Sequence, residues 1–229
     1  MVENIYLVQE LVRKYAKKRV SPICKLKIDL KKAYDSVSWK FLNEMLVQLN
    51  FPQAMANLIM ECVSATSYFI SLNGGYFGFF EGRKGLRPGD PLSALLFVIY
   101  LEYLSRLLKS LEENSNFNFH PRCEHLKITH LAFADDLITF SRGDFNLVKL
   151  LLDCLGNFTQ CSGLIANCLK SNLFSAGVKN KDLDGIKRIT KFNEGEFPFR
   201  YLGIPLAALR LNFMHYSPMI NKITSLLNG

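Results

Sequence analysis

No uninterrupted apolar run in this 229-residue chain exceeds eight residues, Ala94 to Leu101. A membrane-spanning helix needs about 20, so no membrane association is expected. The N-terminal residues Met1-Val2-Glu3-Asn4-Ile5 carry an acid early. They lack the apolar block and small-residue cleavage site of a secretory signal, which points to an intracellular protein. The six cysteines include no CxxC pair, and the four histidines are not spaced as zinc partners. Neither a zinc knuckle nor a redox pair is supported, and free thiols in a reducing compartment are expected. The seven-residue spacing of Cys154, Cys161 and Cys168 reads as small apolar positions facing a core. No internal repeat, low-complexity tract or linker interrupts the chain.

What is present suits a packed core. The chain is 49% hydrophobic and 21% charged, a profile of globular rather than disordered sequence. Its length allows one large domain or two small ones. The net charge is +8, and much of it sits early: residues 1–40 hold ten Lys or Arg against four acids, a net +6. A phosphate-rich partner would explain this, and so would a solvated basic helix face.

Periodicity outlines the elements. Ile5, Val8, Leu11, Val12 and Tyr15 form one stripe of an amphipathic helix over 2–19. Residues 23–30 alternate, with Cys24, Leu26, Ile28 and Leu30 facing inward and Lys25, Lys27 and Asp29 outward, which predicts a half-buried strand. Helices are predicted at 38–49, with Ser38 as N-cap, and at 52–64, with Pro52 in the first turn. A hairpin is predicted over 67–81 around Asn73-Gly74-Gly75. A Gly- and Pro-rich loop at 83–91 precedes a long helix over 92–111. Strands at 127–133 and 137–141 join at Ala134-Asp135-Asp136. A helix at 145–161 stops at Gly163. A strand near 170–175, a weak helix near 181–190, a strand near 200–206 and a helix over 213–228 complete the chain. Apart from the 67–81 hairpin, this order matches a split β-α-β, ferredoxin-like sheet. In that sheet the first strand lies beside the 127–141 hairpin, so Asp29 and Asp135-Asp136 meet at one edge.

An Asp-Asp pair seen alone is most often a turn that favours Asp. Here the pair directly follows an apolar strand, without glycine. Two like charges held close cost energy unless a cation neutralises them. Mg²⁺ prefers hard oxygens, typically one or two carboxylates plus substrate phosphates. With Asp29 added, the acids make a candidate two-metal site, the arrangement nucleotidyl transfer needs.

Five segments carry a family resemblance. Residues 27–39, Lys-Ile-Asp-Leu-Lys-Lys-Ala-Tyr-Asp-Ser-Val-Ser-Trp, resemble motif A of the reverse transcriptases of non-LTR, LINE-type retrotransposons, plant ones in particular. Residues 85–97, Gly-Leu-Arg-Pro-Gly-Asp-Pro-Leu-Ser-Ala-Leu-Leu-Phe, resemble motif B, and Phe133-Ala134-Asp135-Asp136 is similar to motif C. Asn167-Cys168-Leu169-Lys170-Ser171 resembles motif D, and 199–206 resembles the segment that follows. The helix at 3–11 resembles the one preceding motif A. The resemblance implies an α+β, ferredoxin-like polymerase palm with partial fingers over 1–212 and the start of a truncated thumb-like helix over 213–229. It implies RNA-directed DNA polymerase activity with Mg²⁺, or Mn²⁺ in its place, in a nuclear setting. Expected partners are an RNA template, a DNA primer and deoxynucleoside triphosphates. Fingers, thumb and nuclease or RNase H regions of a larger polyprotein are also implied.

By position, Asp29, Asp135 and Asp136 match the metal-binding and catalytic acids. Leu30, Tyr34, Arg87, Gly89 and Lys170 match nucleotide-binding positions, with the Tyr34 ring excluding a 2′-hydroxyl sterically. Tyr201, Leu202 and Gly203 match the primer region. Two positions depart: Pro88 stands where the family usually has Gln, and Ala94 where Pro is common. Pro88 offers neither a backbone N–H nor a side-chain amide. An inactive, truncated nucleic-acid-binding remnant is therefore the alternative expectation. An RNA-directed RNA polymerase is disfavoured, because Ala134 stands where that class has Gly.

Overall fold

The computed structural model describes residues 2–13, 15–16, 20–114 and 117–227. In chain order the elements begin α1 (Val2–Val12), β1 (Ile23–Asp29), α2 (Trp39–Gln48), α3 (Gln53–Ser64), β2 (Ser67–Leu72), β3 (Gly75–Glu81) and α4 (Pro91–Ser110). They continue with β4 (His130–Phe133), β5 (Asp136–Arg142), α5 (Phe145–Ser162), β6 (Asn172–Ala176), α6 (Asn180–Thr190), β7 (Asn193–Glu194), β8 (Phe199–Tyr201), β9 (Ile204–Leu206) and α7 (Phe213–Leu227). The chain forms two compact units. Unit 1 comprises 1–29, 110–152 and 166–229; unit 2 comprises 30–109 and 153–165.

Unit 1 is built on a five-stranded sheet of order β4-β5-β1-β6-β7. β1 runs antiparallel to both β5 and β6, so the first strand does lie beside the 130–142 hairpin. The register sets Asp29 opposite Asp136 and places Lys25 between Phe140 and Phe174. One face of the sheet packs on α1 and the β8–β9 hairpin through Val8, Val12, Ile138, Phe140, Phe174, Tyr201 and Leu206. Gln9 ties α1 to the strand end. Its side chain donates to the Ala207 carbonyl at 2.9 Å and accepts from the Ala207 N–H at 3.3 Å.

Lys25 breaks the expected alternation. Its side chain does not face water: it is fully buried, with Nζ 3.4 Å from the ring centroid of Phe199 and 3.8 Å from that of Phe174. Both faces of β1 are covered at this point, because α1 and β8–β9 close over the side the alternation assigns to solvent. Burial holds the Lys25 amine well below its usual pKa, with the nearby Lys27 charge adding to the effect.

Several boundaries differ from expectation. α1 ends at Val12, and basic positions 14 and 17–19 lie outside the described residues. β4 starts at His130, not 127, because residues 121–127 fold as turns; the Cys123 carbonyl accepts from Ile128 N–H. Residues 199–206 form a hairpin rather than one strand, since Leu202 and Gly203 both take positive φ, as a tight two-residue turn requires. β7, only two residues long, has no periodic signal. Of the evenly spaced cysteines only Cys154 is buried, whereas Cys161 and Cys168 are exposed.

Unit 2 holds α2, α3, α4, the second half of α5 and the β2–β3 hairpin. Ser38 caps α2, its Oγ accepting from Phe41 N–H, and Pro52 stands one place before the first helical residue of α3. Asp90 Oδ1 accepts from Leu92 N–H at 2.9 Å and Pro91 begins α4, so this Asp-Pro is a helix start. The Tyr100 hydroxyl accepts from Ser38 N–H at 3.0 Å and donates to the Ser162 carbonyl. Burial pushes its pKa up to about 12. Phe41 and Phe158 meet the Tyr100 ring edge-on. By length and composition the segment Pro91–Glu113 could cross a membrane, with mean hydropathy 1.4. Leu96, Phe97, Tyr100, Leu104 and Leu108 of that segment are buried, whereas Leu95 and Val98 are exposed.

Candidate active site

The site-bearing edge of unit 1 is the end of β1 and the start of β5. Asp29 closes β1 and Asp136 opens β5, and the two are register partners. Paired residues share a face of the sheet, so the two carboxylates emerge side by side. Asp135 is exposed at the tip of the two-residue turn between β4 and β5. That turn places Ala134 at φ 51°, a conformation uncommon for a residue with a Cβ.

Three further groups hold this edge. Lys27, two residues before Asp29 on the same face, ion-pairs with Asp136 at 3.3 Å, both side chains being partly exposed. The Asp29 N–H donates to Ser171 Oγ at 3.1 Å, and the Asp29 carbonyl accepts from Asn167 N–H at 2.8 Å. Ser171 N–H in turn donates to the Asn167 carbonyl at 2.9 Å, so the 167–171 turn clamps the Asp29 backbone from both sides. The physical work of the Asn-x-x-Lys-Ser segment is thus partly to fix Asp29. Lys170, between the two clamps, projects into solvent. Lys27, Asn167 and Ser171 sit inside the recognised segments, but only tertiary contacts assign them these roles. Ser171→Ala leaves the part-buried Asp29 N–H without this acceptor, and should cost about 1 kcal/mol. Denaturant unfolding of the variant checks this; a change below 0.5 kcal/mol, about the size of a neutral surface substitution, would rule the clamp out.

Tyr201 in β8 is fully buried in unit 1. Burial, with the Asp136 charge adding, pushes its hydroxyl pKa up to about 12. Its neighbours Leu202 and Gly203 form the hairpin turn, with Gly203 exposed.

The nucleotide-binding positions other than Lys170 lie in unit 2. The Tyr34 ring is half-buried and stacks on Phe97 at 4.8 Å. Leu30 is buried. The 85–90 loop is anchored on the Tyr34 turn. Leu86 N–H donates to the Tyr34 carbonyl at 2.8 Å, Gly85 N–H donates to the Val37 carbonyl at 2.8 Å, and Trp39 Nε1 donates to the Gly85 carbonyl at 2.7 Å. Gly85 takes φ 95°, and a Cβ there would sit 3.1 Å from the Asp35 backbone. Glycine is therefore needed twice over at this position. Gly89, at φ 85°, faces open space, and Arg87 is exposed. A cleft of about 900 Å³ opens beside the loop, lined by Asp35, Tyr68, Phe80, Arg83, Lys84 and Pro88 among others.

Among the described residues, no three His, Cys, Asp or Glu side chains gather to hold a metal ion by themselves. The donors at the β1–β5 edge are all carboxylate oxygens. That set fits Mg²⁺ or Mn²⁺, which take one or two carboxylates and complete their shell with substrate phosphates.

A family model described as "Reverse transcriptase (RNA-dependent DNA polymerase)" matches residues 2–206. The chain belongs to the reverse transcriptase family. Its curated relatives include Pol polyproteins of non-LTR R2 retrotransposable elements. The domain is 26% identical over 190 residues to a Pol polyprotein from the type-1 element R2 of Popillia japonica, covering 79% of this chain and 30% of that protein. It is 26% identical over 172 residues to the Pol polyprotein of element R2DM of Drosophila melanogaster, covering 75% of this chain and 15% of that protein. The domain thus spans less than a third of the length of these relatives. Among solved structures, apo telomerase from Candida tropicalis superposes with a TM-score of 0.60 at 16% identity, covering 92% of this chain and 39% of that one. At that identity the likeness establishes the polymerase palm fold of this reverse transcriptase domain and nothing finer.

Proposed function

We propose that this domain extends a DNA primer 3′-hydroxyl with deoxynucleoside triphosphates on an RNA template by two-metal nucleotidyl transfer. The observation that carries the reading is the register of β1 against β5, which sets Asp29 beside Asp136 with Asp135 one residue away. Asp29 and Asp135 would hold the cations, Mg²⁺ or Mn²⁺, with Asp136 as the third acid. Bound there, such a pair supplies activation of the attacking oxygen and stabilisation of the leaving one. Lys27 offsets the repulsion between facing carboxylates while the site is empty of substrate. Tyr34 excludes a ribose 2′-hydroxyl. Leu30, Arg87, Gly89 and Lys170 belong to the nucleotide subsite, and Tyr201, Leu202 and Gly203 to the primer region. Residues 1–212 act as palm with partial fingers, and α7 begins a thumb. Fingers, thumb and nuclease regions of a longer polyprotein complete the enzyme.

A second reading, an inactive nucleic-acid-binding remnant, is favoured by one observation: Pro88 sits on the wall of the cleft beside the 85–90 loop. Primer extension on a homopolymer RNA template separates the two. Incorporation that needs divalent cation and stops with chelator supports the polymerase. RNA binding with no incorporation in either Mg²⁺ or Mn²⁺ supports the remnant.

A further inference from the structure

Residues 67–80 contain no charged side chain, within a chain of net charge +8. They form most of the β2–β3 hairpin, which pairs with no other strand among the described residues. Tyr68, Phe69, Ile70 and Leu72 on β2, and four aromatic residues on β3, are each between 44% and 76% exposed. Their rings pair across the two strands on both faces, Phe69 with Tyr76 at 4.4 Å and Tyr68 with Phe80 at 5.8 Å. Neither face is therefore a core face. A lone two-stranded hairpin is marginal in water, and a contiguous exposed apolar patch of this kind marks an interaction site.

Several features narrow the occupant. Nucleic-acid affinity rests largely on cations at phosphates, and residues 67–80 offer none. The two edges also differ. β3 carries a bulge at Gly78-Phe79, with Gly78 at φ 61°, whereas β2 opposite it is regular. Bulges twist an edge away from further pairing, so β2 presents the edge open to another strand. Strand pairing across a two-fold axis needs a patch that complements itself. An uncharged aromatic edge meets that condition without like-charge repulsion. The six rings, about half exposed and at about 150–250 Å² each when fully buried, offer roughly 600 Å². That is one partner's share at the lower end of specific interfaces.

We propose that the β2–β3 hairpin is a self-association surface, on which a second copy of this chain pairs its own β2 antiparallel to make a four-stranded intermolecular sheet. The measurement is mass by sedimentation or light scattering from about 1 to 100 µM, on nuclease-treated protein. A dimer is expected, and it should tighten with added salt, which screens the repulsion between two cationic copies. Hydrogen exchange should show backbone amides of 67–72 gaining protection as concentration rises. Ser71→Lys adds charge at an exposed polar position on the open edge. It should return the protein to monomer with an unchanged circular dichroism spectrum, and Ile70→Lys should do the same. A monomer throughout that range would overturn the proposal. A dimer indifferent to both variants, or association that needs nucleic acid and weakens with salt, would also overturn it.

Discussion

Changing Pro88 to Gln is expected to raise nucleotide incorporation by about 10- to 150-fold for each hydrogen bond regained. The start of the 85–90 loop is pinned to the Tyr34 turn by Leu86 N–H and Gly85 N–H and to Trp39 through the Gly85 carbonyl, which sets where Pro88 stands. Pro88 is exposed on the cleft wall, so a side-chain amide there would point at open space a nucleotide can enter. Proline removes a backbone donor and that amide together. A hydrogen bond to a charged group contributes about 1.5–3 kcal/mol, and each 1.36 kcal/mol is tenfold in rate. The comparison is made in a longer chain carrying fingers and thumb of a related element. Adding Asp29→Asn to the Pro88→Gln chain should remove the whole gain. Equal rates with Pro and Gln would show that this position is not the defect. Incorporation that survives Asp29→Asn would sink the two-metal assignment.

The second large effect is on stability. Lys25→Met should stabilise the fold by about 1–3 kcal/mol, the cost of burying a polar group without a hydrogen bond. Lys25 Nζ has no hydrogen-bond partner among the described residues, and its side chain is fully buried. Cation–π attraction to the rings of Phe174 and Phe199, about 2 kcal/mol when desolvated, is available only to the charged amine. An ionised amine, however, loses several kcal/mol on leaving water. Methionine keeps the length and flexibility of the side chain and adds favourable sulfur–aromatic contact. At this chain length each kcal/mol raises the melting temperature by about 2–4 °C.

The pH dependence gives an independent check. With the amine pKa depressed on folding, the unfolded chain binds the extra proton between the folded and unfolded values. Stability therefore rises with pH through that window. Above about pH 8.5, where an unperturbed thiol begins to ionise, Cys24 and Cys123 act in the opposite direction. Burial pushes both thiols up to about 12, so the folded chain keeps protons that the unfolded chain has lost. The Lys25 contribution is thus read below pH 8.5, where Lys25→Met should flatten the rise. A destabilised Lys25→Met protein would mean that the aromatic rings hold a charged ammonium productively.

The sequence by itself determined the family, the order of elements and the identity of the acids. Alternation in 23–30, the Asn73-Gly74 turn and the apolar run of α4 are local signals, and local signals survive without tertiary context. The order strand, helices, strand pair, helix, strand was enough to place Asp29 beside the Asp135-Asp136 hairpin, since few topologies satisfy it. Tertiary structure alone decided which partner each residue meets. Lys25 follows the same alternation as Lys27. Only the closure of α1 and the β8–β9 hairpin over that face, the hairpin coming from more than 170 positions away, turns one of them into a core residue. Asp29 is held by Asn167 and Ser171 through its backbone, a contact with no sequence periodicity. Gly85 reads as one more loop glycine until the Asp35 backbone is found 3.1 Å from where its Cβ would stand. In each case the deciding quantity is burial or approach between segments distant in sequence, which pattern in one dimension does not carry.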